Sequence, residues 1–580
     1  MREFTTFALA LLLAGCGEKK TTEESPDVPS AAQVEVAPPP GAPIMEERQS
    51  IASPLSDGWE TEAIAESAAV QLKALAERVV AGRAEHESVA ELNRYFRELD
   101  PAFTERHAEV HVFDIQLGEG EVVRTRASFE GRARKPSGIR PPSAELGTKI
   151  LEGKGGMTSN IKAAIASLVA DWRRSGDELE LVSISTRDVQ LSGGRRWFTD
   201  RTGAVLSGNA SFTTHLAGGL NHWLERVERL HGMDAFIRNG LAIGDANGDG
   251  LDDVYLCQPG GLPNRLFLHR PEGNADDRSA ECGVDYLDHT SSALFLDLDN
   301  DGDQDLALAV PAGLLLLENA GNEGDAKFSE RGVLRTDGSD VHALAAADYD
   351  LDGNVDLYLT FALSDREPGD DTPQFVYHDA NDGGPNQLFR NDGGWSFSEV
   401  TAQTGLDQNN TRHSLAASWG DFDLDGDPDL YVANDYGQNN LYRNDLLDSG
   451  ARRFTDIAVE SGAVDFGSGM SVSWGDYDRD GTPDLYVGNM FSNAGHRITA
   501  QEKFSTGGDA KLRALYRRFA KGNSLFRGVG GGRFEEAGAA AGVERGRWAW
   551  SSLFADLDHD GWEDLFVANG YISGDGAGDL

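Results

Sequence analysis

The chain has 580 residues and a formal net charge of −44, too long for one hydrophobic core and too acidic for nucleic acid to be its partner. With 39% hydrophobic and 8% aromatic residues it can build cores, and 68 glycines beside 96 acidic residues announce many tight turns. Three cysteines exclude a disulfide framework, and no apolar run reaches the 18 residues or so that a membrane-spanning helix needs.

Residues 1–16 read MREFTTFALALLLAGC. Arg2 precedes an apolar run from Phe7 to Leu13, too short to span a bilayer but the size of a signal-peptide core. The run ends in Leu13, Ala14, Gly15 and Cys16, which resembles a bacterial lipoprotein lipobox. That resemblance implies a lipid on Cys16, cleavage before it, and an exported chain tethered in the cell envelope. Gly17 after the cysteine favours the outer membrane or cell surface. The membrane is then met through the lipid anchor only. Residues 17–56 carry seven prolines among small and acidic residues and read as a disordered, semi-extended linker. Such a spacer would reach on the order of 100 Å from the lipid.

Residues 57–231 read as a small α+β domain. Ile64, Ala68, Leu72, Leu75 and Val79 recur at helical spacing up to Gly82, and Val89, Leu92, Phe96 and Leu99 form a second helix stopped by Pro101. Strand-like alternation follows at Val110–Ile115 and Val123–Phe129. The stretch 161–172 is ambiguous between helix and strand, although the SGD turn at 175–177 and the alternation after it favour a hairpin. A helix through Leu216, Leu220, Trp223, Val227 and Leu230 closes the region. The helix, helix, strands order resembles, in pattern only, nuclear-transport-factor-type cones. His107 and His111 lack the H-E-x-x-H order of zinc proteases. On a strand they share a face about 13 Å apart, as solvated side chains rather than metal ligands.

From residue 232 onward one unit recurs six times. Its cores are DANGDGLDD (245–253), DLDNDGDQD (297–305), DYDLDGNVD (348–356), DFDLDGDPD (421–429), DYDRDGTPD (476–484) and DLDHDGWED (556–564). Unit charges about 4 Å apart repel by roughly 1 kcal/mol even in water, so clustered carboxylates call for a cation. Calcium, with six to eight oxygens in a flexible shell, suits them better than magnesium. The expected ligands occupy positions 1, 3, 5 and 9 of each loop. They are Asp245, Asn247, Asp249 and Asp253; Asp297, Asp299, Asp301 and Asp305; Asp348, Asp350, Asp352 and Asp356; Asp421, Asp423, Asp425 and Asp429; Asp476, Asp478, Asp480 and Asp484; and Asp556, Asp558, Asp560 and Asp564. Glycine at position 6 permits the sharp turn, and position 7 offers its carbonyl. These are not EF-hands, because position 12 is always apolar (Leu256, Leu308, Leu359, Val432, Val487 and Val567) and strand-like segments flank the loops.

A second element recurs between loops. NQLFRNDG (386–393) precedes FSEVTAQTGL (397–406), NNLYRN (439–444) precedes FTDIAVESGA (454–463), and NSLFR (523–527) precedes FEEAGAAAGV (534–543). Each unit thus holds four strands in roughly 50 residues, the size of a propeller blade. The units resemble FG-GAP/VCBS repeats, the calcium-clasping blades of integrin-α-type propellers, and the paired segments are most like the cartilage-acidic-protein family, whose members often end in an ASPIC/UnbV domain. The resemblance implies a mainly β fold: a β-propeller over 232–580, of seven blades with six as the alternative, preceded by the α+β domain. It also implies up to six Ca2+ ions. The sixth unit stops after its second strand and no ASPIC/UnbV segment follows, so the sequence is either truncated or closed by upstream strands. WFTD at 197–200 echoes RFTD at 453–456 and is the candidate closing strand.

Residues 361–385 insert an acidic loop, and 490–522 insert a basic, helical-looking segment that reads as a capping helix before a partner site. Cys257 and Cys282 could pair in an oxidising envelope. The expected function is a tethered calcium-binding module for adhesion or scaffolding, with a protein or carbohydrate ligand. The alternative is an envelope hydrolase on the same scaffold, although no G-x-S-x-G elbow occurs and His342 and His413 suit packing as well as catalysis.

Overall fold

The computed structural model describes residues 60–99, 101–118, 121–134, 161–175, 178–194, 200–218, 240–321, 324–336, 341–362, 379–447, 449–501, 509–546 and 548–569, with isolated positions 222, 223, 226 and 504. The signal-like stretch with Cys16, the Pro-rich segment and the WFT of 197–199 lie outside them, as do Leu220, Val227 and Leu230 of the expected helix.

Two helices, α1 (Glu60–Val80) and α2 (Ala90–Arg97), precede a four-stranded antiparallel meander of β1 (Glu105–Leu117), β2 (Val122–Arg134), β3 (Ile161–Ser175) and β4 (Glu178–Gly194). The helices bury Ile64, Leu72, Val79, Leu92 and Phe96 against Phe129, Leu168 and Trp172 on one sheet face. The ambiguous 161–172 stretch is a strand paired along its length with β2 and β4. Its alternate residues Ala164, Ala166, Leu168, Ala170 and Trp172 all face the core, a period of two that small residues disguise as helix-forming. His107 and His111 flank Glu109 on β1, at 3.1 and 3.6 Å from its carboxylate, on a partly exposed face.

Residues 200–216 turn away from this sheet. A short helix α3 (Thr202–Leu206) leads to a π-helical turn (Phe212–Leu216), and Asn209 bonds both Ala275 O (2.8 Å) and Asp277 N (2.8 Å) of the sheet that follows.

Five four-stranded antiparallel sheets then succeed one another: β5–β8 (Leu241–Gly244, Asp253–Leu256, Arg265–His269, Ala275–Asp277), β9–β12 (Ser292–Leu296, Asp305–Val310, Gly313–Asn319, Phe328–Leu334), β13–β16 (Ala343–Ala347, Asp356–Thr360, Gln387–Asn391, Phe397–Glu399), β17–β20 (His413–Gly420, Asp429–Asp435, Asn440–Leu446, Arg452–Asp456) and β21–β24 (Gly469–Gly475, Asp484–Asn489, Ser524–Gly528, Phe534–Glu536). A sixth, of β25 (Ala549–Ala555) and β26 (Asp564–Asn569), has two strands among the described residues. The protein is therefore mainly β, an arrangement consistent with a propeller-like fold. First strands of neighbouring sheets pack side by side; the second strands β10, β14, β18 and β22 are buried on both faces, and Tyr255, Tyr358, Tyr431 and Tyr486 on second strands are fully covered. Such two-sided burial explains their continuous apolar runs.

The recurrent sequence motifs are structural joints. The first Asn of each Asn-x-Leu motif accepts the backbone N–H that ends the preceding strand pair: Asn264 from Gln258, Asn386 from Phe361, Asn439 from Asn434 and Asn523 from Asn489. The acid that ends four of the outer strands caps a one-turn helix: Asp277 accepts from Ser279 N, Glu399 from Thr401 N, Asp456 from Ala458 N and Glu536 from Gly538 N.

The basic insertion forms two helices, α4 (Asn493–Ala500) and α5 (Ala510–Phe519), the second capped by Asp509. Its charges turn inward. Arg518 pairs with fully buried Asp465 at 2.6 Å, Lys521 with Glu536 and Glu544, and Arg517 with Thr499 O. Helix α4 packs on β1 and α1, Arg497 bonds Val112 O, and Arg545 lies over the Phe113 ring at 3.8 Å. The insertion is thus a joint between the N-terminal sheet and the repeats. Cys257 and Cys282 are buried free thiols, pushed up by burial to about 12 and about 11, so the pairing that the sequence left open is not formed.

Candidate metal centres

Each Asp-rich loop joins the first and second strands of its sheet. The position-1 carboxylate folds the loop around itself: in loop two Asp297 accepts Asp301 N at 3.2 Å and Gly302 N at 3.1 Å. Asp245, Asp348, Asp421, Asp476 and Asp556 repeat that pair of bonds. Closing the turn this tightly requires a left-handed residue at position 4 as well as the glycine at 6. Position 4 has φ between 59° and 67° in all six loops (Gly248, Asn300, Leu351, Leu424, Arg479 and His559), although only one of these is glycine.

The position-9 aspartate anchors the loop to the sheet. Asp253, Asp305, Asp356, Asp429 and Asp484 are essentially inaccessible to solvent. One oxygen of each accepts the N–H of loop position 2 and the other an N–H of the third strand, as Asp429 does from Phe422 (3.3 Å) and Asn444 (2.8 Å). Burial pushes these carboxyls up, to about 6 in Asp253 and Asp484, about 7 in Asp305 and Asp356 and about 8 in Asp429, against the pull of the backbone donors.

Carboxylate oxygens converge within 4.8 Å in five loops. Positions 1, 3 and 9 meet in loops two, three and five (Asp297, Asp299, Asp305; Asp348, Asp350, Asp356; Asp476, Asp478, Asp484), and positions 1, 3 and 5 in loops four and six (Asp421, Asp423, Asp425; Asp556, Asp558, Asp560). Position 5 of loops two, three and five (Asp301, Asp352, Asp480) and position 9 of loops four and six (Asp429, Asp564) stand outside those groupings. Loop one assembles no such trio among the described residues. Its Asn247 is occupied with Asp249, accepting the backbone N–H and donating to the carboxylate, both at 3.1 Å.

Position 3 tests whether these cages suit a cation. In Asp299, Asp350 and Asp423 the Oδ1 atom is buried and accepts no hydrogen bond of good geometry, the N–H groups of Asp352 and Asp425 pulling only weakly on the last two. Burial first, then the charges at positions 5 and 1, raises Asp350 and Asp423 above the ordinary carboxylate range. A desolvated carboxylate oxygen without a well-aligned donor, among other carboxylates, is costly alone and favourable beside a metal ion. Several of the loops could therefore bind metal ions, with a hard, all-oxygen donor set.

One functional group escaped the sequence reading: the Asn at or near the end of the third strand, which follows Glu318 in the second repeat and Arg390 and Arg443 in the third and fourth. Asn319, Asn391 and Asn444 each donate Nδ2 to the position-2 carbonyl of the preceding repeat's loop (Ala246, Leu298 and Tyr349, at 2.8–2.9 Å). They lock consecutive loops together. The Arg-Asn pair of the third and fourth repeats was the available signal, read only as part of a strand.

Residues 245–308, 297–359, 421–487 and 508–567 match the FG-GAP-like repeat. The chain thus carries FG-GAP-like repeats in a mainly β structure. It is homologous to cartilage acidic protein 1, being 26% identical over 353 residues to the Mus musculus and Homo sapiens proteins, which covers 57% of this chain and 49% and 48% of theirs. The Xenopus tropicalis protein is 29% identical over 110 residues, 19% of this chain and 16% of that one. The chain spans about half the length of the first two relatives. Among solved structures, an Agrocybe aegerita lectin described as recognising non-reducing terminal N-acetylglucosamine gives a TM-score of 0.30 at 13% identity, covering 70% of this chain and 82% of that chain. A Bacillus licheniformis rhamnogalacturonan lyase gives 0.21 at 15%, covering 79% and 72%. Scores this low bear on neither fold nor ligand.

Proposed function

We propose that this protein is a calcium-stabilised β-propeller acting as a binding or scaffold module, tethered to the cell envelope through a lipid on Cys16. The observation that carries the calcium reading is the buried position-3 oxygen, without a well-aligned donor, in Asp299, Asp350 and Asp423. Positions 1, 3, 5 and 9 with the position-7 carbonyl would hold the ion, in a shell that calcium's irregular coordination tolerates. Bound calcium would offset two negative charges in each cage and leave the ring as a rigid platform for a protein or carbohydrate ligand.

Two observations support a closed, seven-bladed ring. Asp200 accepts Thr202 N at 2.9 Å and α3 follows, repeating the outer-strand cap of the other units, and α3 packs on β8 as each such helix abuts the next repeat's outer strand. Meanwhile Leu241 and Ile243 on β5 and Leu553 and Phe566 on β25–β26 expose 42–61% of their surface, which leaves room for a blade between the first and sixth sheets.

Calcium titration of the full chain tests the reading. Calcium should bind and chelator should lower the melting temperature, since linkage contributes about 2.7 kcal/mol per independent site at a hundredfold excess over its dissociation constant. Superimposable melting curves with and without chelator would overturn it. Cryo-electron microscopy of the calcium-loaded chain should count seven blades.

A further inference from the structure

The fifth loop already holds a cation of its own. In the third and fourth repeats the Arg of the third strand is drawn to the acid two residues on: Arg390 to Asp392 (2.7 Å) and Arg443 to Asp445 (2.8 Å). In the fifth repeat the same Arg, Arg527, is followed by Gly528 and Val529, so neither the linking Asn nor the acid is present. Its guanidinium turns instead onto the metal loop, with Nε on Asp478 Oδ2 and Nη2 on Asp480 Oδ2 at 2.9 Å. Both oxygens of Asp478 are thus engaged: Arg527 takes Oδ2, and Oδ1 accepts Asp480 N at 3.3 Å, as Asp558 Oδ1 accepts Asp560 N in the sixth loop. The position-1 bonds from Asp480 N and Gly481 N to Asp476 are intact, so the loop keeps its shape with the guanidinium in place.

We propose that Arg527 is a built-in counter-cation that makes the fifth loop the weakest calcium site among the loops with four carboxylates, and lets that loop hold its fold without metal. This rests on the calcium reading above. A guanidinium is permanently charged and matches two carboxylates at once, so an incoming divalent ion must displace it and leave it without a partner. The fifth loop would then fill after the other four-carboxylate loops, as calcium rises.

Three chains test this by calcium titration calorimetry and by melting in chelator: wild type, Arg527→Gln, which removes the counter-charge, and Val529→Asp, which supplies the acid that Arg390 and Arg443 use and leaves the loop untouched. Each variant should tighten one calcium equivalent, on the order of tenfold, and each should melt lower than wild type in chelator while matching it in calcium. If wild type binds calcium and neither variant tightens any equivalent, the inference is wrong and the calcium reading stands. If no chain binds calcium, both fall. Should one variant fail to fold, the other decides.

Discussion

Asn444 shows how much one side chain off the metal loops decides. Its Nδ2 bonds Tyr349 O (2.9 Å) in the previous repeat's loop and Pro428 O (3.1 Å) in its own, and it is 1% exposed. Asn444→Ala would leave two buried carbonyls without donors, at a cost of about 1–3 kcal/mol. A drop in melting temperature should appear in calcium and in chelator alike, because the bonds involve no ligand. An Asn444→Ala protein that melts with wild type in both conditions would show that the link contributes nothing. The repeating Asn was legible in the sequence, but its partner lies 95 residues away, and no local pattern reports a contact across that distance.

At the scale of the loop and its hairpin, the raised position-9 carboxyls set a pH dependence. An aspartate whose folded pKa lies at about 6–8, above its ordinary value of 3.8, contributes stability that is full below about 4 and is lost as pH rises through the folded value. Calcium competes with those same protons. Chelated protein should therefore melt at a lower temperature at pH 8 than at pH 5.5. With saturating calcium the stabilisation over chelator should widen across the same range. Melting curves in both conditions between these pH values check the sign; a chelated protein that gains stability on going from pH 5.5 to 8 would refute the burial argument. The loop spacing was plain in the sequence because all of its ligands sit within nine residues. What it hid was that position 9 is a sealed strut to the third strand, and that Arg527 bonds two carboxylates of the fifth loop.

For the whole molecule, no described helix is long and apolar enough to cross a membrane. A Cys16→Ala chain, without its proposed lipid, should leave the membrane fraction or stall as an unprocessed precursor; mature mutant protein that still sediments with membranes at high salt would contradict the anchor. The amino-acid sequence by itself determined the repeat, its acidic loops and the four-strand unit, because strand alternation, turn glycines and loop ligands are all encoded within about 50 neighbouring residues. Only the tertiary structure decided that 161–175 is a strand, since alanine-rich alternation reads either way until a partner covers one face. It also decided that the basic insertion joins the N-terminal sheet to the repeats, and that residues 200–206 pack with the first repeat sheet. Those outcomes depend on burial and pairing between segments as much as 385 residues apart, where the energy lies in surfaces that meet only after folding.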